Sequence, residues 1–314
     1  MASAIAHGIK QLAVLGGGQM GLGIAYVAAT RAKVPVLLYD KSKDQIGRSL
    51  SLADKFFDKD VKKGKLQESE ALEARDRMTV VNNLEAFRDA DMFVFAVSES
   101  FQLKRSLFST LSDEMRPDAI LASNTSSISI TKIAASAMGP EVSPTSEEGL
   151  RSSARVVGIH FFNPVPVMVR IFPLVELIAG LQTSPEVLER SRQFAIACGK
   201  EVTVSKDVPG FVSNALLMPF LNEAIMALEK GVATKQDIDK TLRLGMGHPM
   251  GPLTLADFIG LDTCLAIQRT LLEGTGDSKY RPAVLLERMV DAGWLGKKTG
   301  KGFYTYDNDG KAVE

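Results

Sequence analysis

The chain has 314 residues, 45% of them hydrophobic, which is enough apolar material for one large core or two ordinary ones, and the length favours two domains. Lys+Arg and Asp+Glu both number 37, and a net charge of zero argues against a general nucleic-acid or membrane-surface role. Two cysteines, Cys198 and Cys264, stand in no metal-ligand spacing and are too few for a disulfide framework, so a reducing compartment is expected, and no apolar run approaches the length of a bilayer span.

About ten residues precede the first strand, too few for an ordinary transit peptide, and the expectation is a soluble intracellular protein of the cytoplasm or the mitochondrial matrix. Leu12 to Leu15 is apolar, Gly16-Gly17-Gly18-Gln19-Met20-Gly21 is a turn, Leu22 to Ala29 is a helical run, and Val36 to Tyr39 closes on Asp40. A strand, a glycine turn, a helix and a second strand ending in an acid form the mononucleotide half of a dinucleotide site. Gly16 makes the tight turn, Gly18 lets backbone approach a pyrophosphate, Gly21 lets helix and strand pack closely, and the helix N-terminus offers N–H groups to phosphate. Asp40 would accept from the adenine ribose hydroxyls and repel a 2′-phosphate, which selects NAD over NADP.

From Asp40 to Met78 the pattern is polar and helical, with Ile46, Leu50, Ala53 and Phe57 on one face. Lys59, Lys62, Lys63 and Lys65 gather at its end, where charge alone suits either a solvated helix terminus or a phosphate-binding patch for an anionic substrate. Met92 to Val97 reads as a strand buried on both faces, followed by Glu99 and a helix over Leu103 to Leu111. Ala119 to Ala122 is the next strand and leads into Ser123-Asn124-Thr125-Ser126-Ser127, and Val156 to Ile159 ends on His160. In open parallel sheets ligands lie beyond the carboxyl ends of the strands, so Glu99, Ser126 and His160 are expected on the edge that carries the glycine turn. Ala137 to Ala154, rich in Ser, Pro and Glu, reads as an exposed loop.

After Glu201 to Val204 the composition changes at Asp207-Val208-Pro209-Gly210. Phe211 to Leu228 is apolar almost all round, with Asn214 on the face of Met218, Leu221 and Ile225, where an amide needs partners. Thr234 with Asp237 predicts a capped helix ending near Gly245, and two further helices are expected over Leu253 to Leu272 and Ala283 to Ala292. The expected architecture is therefore α/β, a Rossmann-like doubly wound sheet in residues 1–205 followed by a smaller helical domain in 206–314.

Of three histidines, His7 precedes the fold and His248 lies in a Gly/Pro loop, which leaves His160 as the candidate base. A neutral imidazole with an ordinary pKa of about 6.5 can take a hydroxyl proton while hydride leaves for a nicotinamide. Glu176, the first acid after it, interrupts the apolar run Leu174 to Ile178 and is the expected carboxylate partner.

The stretches at 16–25, Ser123 to Ser127, His160-Phe161-Phe162-Asn163-Pro164-Val165-Pro166-Val167-Met168, Pro209-Gly210-Phe211, Gly247 to Pro252 and Gly296 to Tyr304, in this order, resemble the L-3-hydroxyacyl-CoA dehydrogenase family over nearly the whole chain. The resemblance implies NAD as cofactor and an acyl-CoA as substrate, with His160 as general base, Glu176 supporting it, and Ser126 and Asn214 holding the substrate oxygens. It implies further that Gly16, Gly18, Gln19, Met20, Gly21, Asp40, Glu99, Lys104 and Lys298 line the NAD site, that Lys63 meets coenzyme A, and that the helical domain forms a homodimer. No nucleic-acid, membrane or metal partner is implied. Glu176 stands sixteen positions after His160, four more than the family pattern, with the extra residues assigned to Val169 to Pro173; Ala215 and Phe95 replace a common arginine and glutamate. Pro173 to Leu177 also resembles the lambda-crystallin branch, which oxidises sugar acids, and a catalytically silent NAD-binding protein is the remaining alternative.

Overall fold

A computed structural model describes residues 7–139, 141–165 and 173–313. The chain divides into two compact units between Val208 and Pro209, inside the turn where the composition changes. Among the described residues no helix is long and apolar enough to cross a membrane.

The first unit is an eight-stranded sheet in the order β3-β2-β1-β4-β5-β6-β7-β8, with β1 Leu12–Leu15, β2 Val36–Tyr39, β3 Met78–Val80, β4 Met92–Phe95, β5 Ile120–Ser123, β6 Val156–Phe161, β7 Leu174–Ala179 and β8 Glu201–Lys206. All neighbouring pairs are parallel except β6 with β7. Strands β1, β4, β5 and β6 are buried along their whole length, as their unbroken apolar runs demand of a sheet covered on both faces. The helices are α1 Gln19–Val27, α2 Lys43–Lys62, α3 Glu68–Asp76, α4 Phe101–Glu114, α5 Ile130–Ala134, α6 Glu147–Ala154 and α7 Pro185–Ala197. Leu22, Ile24, Ala25 and Val27 of α1 join Leu12 and Val14 of β1 in one apolar core with Phe57 of α2 and Phe194 of α7.

The strand order reverses between β1 and β4, and the glycine turn sits at this switch point. Gly16 has φ +105°, and a Cβ there would lie 2.4 Å from the Ala96 carbonyl oxygen; a Cβ on Gly21 would lie 1.8 Å from the Gly16 carbonyl oxygen. Only glycine permits both approaches.

Two expectations are corrected. The stretch over Ala137 to Ala154 is in part the helix α6, with Ser146 as N-cap accepting from the Gly149 N–H at 3.1 Å and with Ser153 buried. Its Ser, Glu147 and Glu148 supply a cap and two acids for the dipole, local signals that outweigh the low apolar content. The helix expected over Leu253 to Leu272 is two helices, broken at Gly260, whose φ of +104° no continuous helix accommodates.

The second unit consists of α8 Ser213–Glu229, α9 Lys235–Lys240, α10 Pro252–Ile259, α11 Leu261–Thr275 and α12 Val284–Asp291. Met218, Leu221 and Ile225 of α8 pack with Leu253, Leu261, Cys264, Leu271 and Leu286 in a second core. Two buried aspartates organise the connecting loops. Asp239 accepts from the Leu253 and Thr254 N–H groups at the start of α10, and Asp257 accepts from the N–H groups of Phe303 and Tyr304 and the hydroxyl of Tyr306. Burial raises the Asp257 pKa against these donors. The motifs at 247–252 and 296–304 thus fold onto carboxylates of their own unit.

Candidate active site

The three polar groups expected at the carboxyl edge of the sheet meet there. His160 is the penultimate residue of β6, and its register partner across the antiparallel ladder is Glu176 of β7, so the two side chains leave the sheet on the same face. His160 Nδ1 lies 2.9 Å from Glu176 Oε2, and Nε2 lies 3.0 Å from Ser126 Oγ. His160 is 7% and Glu176 1% exposed. An ionised carboxylate only accepts, so this contact assigns the proton to Nδ1 and leaves the Nε2 lone pair to accept the Ser126 hydroxyl. The imidazole therefore turns its basic nitrogen toward Ser126, with the buried Glu176 carboxyl behind the other. The pair is intact at a spacing of sixteen positions; of Val169 to Pro173, only Pro173 lies within the described residues.

Glu99, beyond β4, shapes the loop that carries Ser126. Its Oε1 accepts from the Ser126 N–H at 2.9 Å, from the Ser127 N–H and hydroxyl at 3.2 Å each, and from the Thr125 hydroxyl. Its Oε2 accepts from Lys104 Nζ at 2.8 Å. Burial pulls the Glu99 pKa upward, but the Lys104 ammonium and these donors outweigh it and hold the carboxyl below the usual carboxylate range. Lys104 is fully buried, and its ammonium also donates to Ser123 Oγ at 3.3 Å and the Asn124 carbonyl at 3.1 Å. Burial lowers its pKa against the attraction of Glu99. The family resemblance implies Lys104 at the cofactor; its contacts here are internal, to the loops that carry Glu99 and Ser126.

The glycine turn fits a dinucleotide. No atom lies within 4 Å of the position a Cβ would occupy on Gly18, and α1 begins at Gln19 with no side-chain cap on its N–H groups, leaving an open, electropositive cradle. Gln19 is exposed and Met20 half-buried beside it. Asp40 Oδ2 accepts from the Gly17 N–H and Oδ1 from the Ser42 N–H, both at 2.8 Å, which fixes the carboxylate against the turn and leaves each oxygen a lone pair for a ribose hydroxyl.

Lys63 is exposed and caps the C-terminus of α2. In the second unit, Asn214 is buried in the first turn of α8, and Lys298 pairs with both carboxylate oxygens of Asp262, at 2.5 and 2.7 Å. His7 is buried and its Nδ1 accepts from the Ile9 N–H at 3.0 Å, while His248 packs against Phe220, so both have structural contacts. Both cysteines are free buried thiols, with burial pushing Cys264 up to about 12. No cluster of metal-ligating side chains occurs among the described residues.

A family profile described as 3-hydroxyacyl-CoA dehydrogenase, NAD binding domain, matches residues 11–208, and one described as 3-hydroxyacyl-CoA dehydrogenase, C-terminal domain, matches 210–306. The chain is 46% identical to a probable 3-hydroxybutyryl-CoA dehydrogenase of Bacillus subtilis, over 95% of this chain and 98% of that one. It is 44% identical to a 3-hydroxybutyryl-CoA dehydrogenase of Bradyrhizobium diazoefficiens, over 95% and 96%. Its fold superposes on the crystal structure of (S)-3-hydroxybutyryl-CoA dehydrogenase from Ralstonia eutropha with a TM-score of 0.87 at 38% identity, covering 96% of this chain and 100% of that one. Two consecutive domain matches and this near-complete coverage place the chain in the 3-hydroxyacyl-CoA dehydrogenase family.

Proposed function

We propose that this protein catalyses the reversible NAD-dependent oxidation of (S)-3-hydroxyacyl-CoA esters to 3-ketoacyl-CoA, the step type of fatty-acid beta-oxidation, with a short acyl chain as in its 3-hydroxybutyryl-CoA relatives. The observation that carries the mechanism is the continuous line Glu176, His160, Ser126 at the carboxyl edge of the sheet, the edge that also carries the glycine turn. When bound, NAD supplies the hydride acceptor for the C3 carbinol, and in its reduced form the donor for the reverse reaction.

The chain's own residues supply the proton chemistry. His160 Nε2 takes the C3 hydroxyl proton as the carbonyl forms, and the imidazolium is held by Glu176 at 2.9 Å. Ser126, whose hydroxyl already sits 3.0 Å from Nε2, donates to the substrate oxygen and keeps it within reach of the imidazole. Asp40 takes the adenine ribose and rejects a 2′-phosphate. The roles proposed for Asn214 with the substrate oxygen, Lys298 with NAD and Lys63 with coenzyme A rest on motif resemblance, as do assembly as a homodimer and residence in the cytoplasm or mitochondrial matrix.

His160→Gln tests the assignment. NADH binding, measured by nucleotide fluorescence, should stay at the wild-type level while turnover of acetoacetyl-CoA is lost; unchanged turnover would remove His160 from the mechanism.

A further inference from the structure

The β5–β6 ladder stops at Ser123 opposite Gly158, but β6 runs on to Phe161. His160 and Phe161 therefore overhang the end of β5, where no strand backbone meets them on that side. The Phe161 N–H, in a residue 1% exposed, instead donates to the side-chain oxygen of Asn124 at 3.0 Å. Asn124 is fixed in turn at both of its own backbone groups: its N–H donates to the Phe95 carbonyl at the end of β4, at 3.1 Å, and its carbonyl accepts from the buried Lys104 ammonium, at 3.1 Å. One residue, through its side chain and its backbone, thus ties the ends of three neighbouring strands.

The consequence lies two residues on. Ser126 follows Asn124 through Thr125 and reaches His160 Nε2 at 3.0 Å, while Asn124 holds the peptide that leaves His160. The segments 124–126 and 160–161 form a closed ring, sealed at one end by the Ser126–His160 contact and at the other by the Asn124–Phe161 bond. Opening the second bond removes the direct tie between the start of the Ser126 loop and the end of β6, leaving the loop held by Glu99 and His160 by the β6–β7 ladder.

We infer that Asn124 is the positioning residue that sets the distance between the Ser126 hydroxyl and the His160 imidazole, by acting as a one-residue extension of β5 onto β6. In this role it acts through Ser126 and His160. The inference rests on the reading of His160 as base and Ser126 as its neighbour, and the test separates the two.

Asn124→Ala removes the acceptor, while Asn124→Asp keeps an acceptor oxygen at the same distance from the backbone. For the reduction of acetoacetyl-CoA, Asn124→Ala should lower kcat by about 10- to 100-fold, the range that ångström-scale misplacement costs, with KM and NADH affinity close to wild type. Asn124→Asp should recover most of the loss. In the Ser126→Ala background, Asn124→Ala should cost little more, because the contact it maintains is already gone. Multiplicative losses in the double variant, or equal losses in the Ala and Asp variants, would assign Asn124 to general stability and overturn the inference. A readout independent of turnover comes from nuclear magnetic resonance of the imidazole nitrogens, with the His160 signals identified by their disappearance in His160→Gln. They should shift in Asn124→Ala and return in Asn124→Asp; signals that stay in place in Asn124→Ala overturn the inference whatever the substrate. A wild-type protein inert toward acetoacetyl-CoA would instead count against the proposed function, with the resonance test still deciding on Asn124. Should Asn124→Ala not fold, Asn124→Ser, which shortens the side chain but keeps a polar group, takes its place with the same expectations.

Discussion

Replacing Glu176 with Gln removes a charge and almost nothing else. The carboxylate is 1% exposed and its Oε2 is 2.9 Å from His160 Nδ1. At an effective dielectric of about 20, Coulomb's law gives about 6 kcal/mol of attraction once the imidazole carries a proton. Desolvation of the buried pair offsets part of this. The amide retains a neutral hydrogen bond worth about half the charged one. The net loss in the transition state is about 2 to 4 kcal/mol, which corresponds to a fall in kcat of about 30- to 1000-fold. The amide can also turn its NH2 toward Nδ1, shifting the ring proton to Nε2 and blocking the base, a change in the same direction. Initial rates of NADH loss at saturating acetoacetyl-CoA measure the effect, with NADH affinity as the control, which should not move because Glu176 faces the imidazole from within the sheet. A kcat within about threefold of wild type would refute the argument that the buried carboxylate stabilises the imidazolium.

Three further outcomes follow from the packing and charge. Gly21→Ala places a Cβ 1.8 Å from the Gly16 carbonyl oxygen, so it should destabilise the first unit by about 3 kcal/mol or more and abolish NADH binding, measured by urea unfolding and fluorescence; near-native values would contradict the close approach of turn and helix. Gln268 of α11 is fully buried, and neither its amide nitrogen nor its oxygen has a hydrogen-bond partner among the described residues. Gln268→Met should raise the melting temperature by about 2 to 4 °C, and a lower melting temperature would show that the amide is satisfied in solution. Glu99→Gln leaves the Lys104 ammonium buried without its carboxylate and should destabilise the protein at neutral pH, with Glu99→Gln/Lys104→Met regaining stability. Because the folded-state pKa of Glu99 lies below its ordinary value, its stabilisation is complete above that ordinary value and is lost as the pH falls through the depressed one. The melting temperatures of wild type and Glu99→Gln should therefore converge on acidification, and a constant gap across this window would refute the pairing.

The parts of the fold and site that could be read in the sequence are those whose physical demands are local. Gly16, Gly18 and Gly21 lie within one turn, and Asp40 ends the next strand, so spacing alone defines the dinucleotide half-site. Glu176 was legible because an acid inside an apolar strand must be partnered, and the antiparallel register supplies that partner in His160. What depends on register was out of reach: no pattern in the sequence indicates that Lys104 is fully buried or that the Asn124 amide completes a sheet hydrogen bond. Phe95, a departure from the family pattern, is explained only by packing, its ring stacked on Phe108 of α4 at 3.9 Å. The polar composition of Ala137 to Ala154 masks α6, whose local signal is the cap at Ser146 with its two acids, and apolar periodicity runs through the break at Gly260.

The central claim is that an intact His160 site acts on a coenzyme A ester with NAD(H), and the direct test mixes the purified protein with NADH and acetoacetyl-CoA while following the NADH absorbance, with free acetoacetate and NADPH in parallel. The account predicts rapid NADH loss with the ester, little with the free acid, and little NADPH loss. Binding of NADH without turnover of the ester, or preference for the free acid, would contradict it.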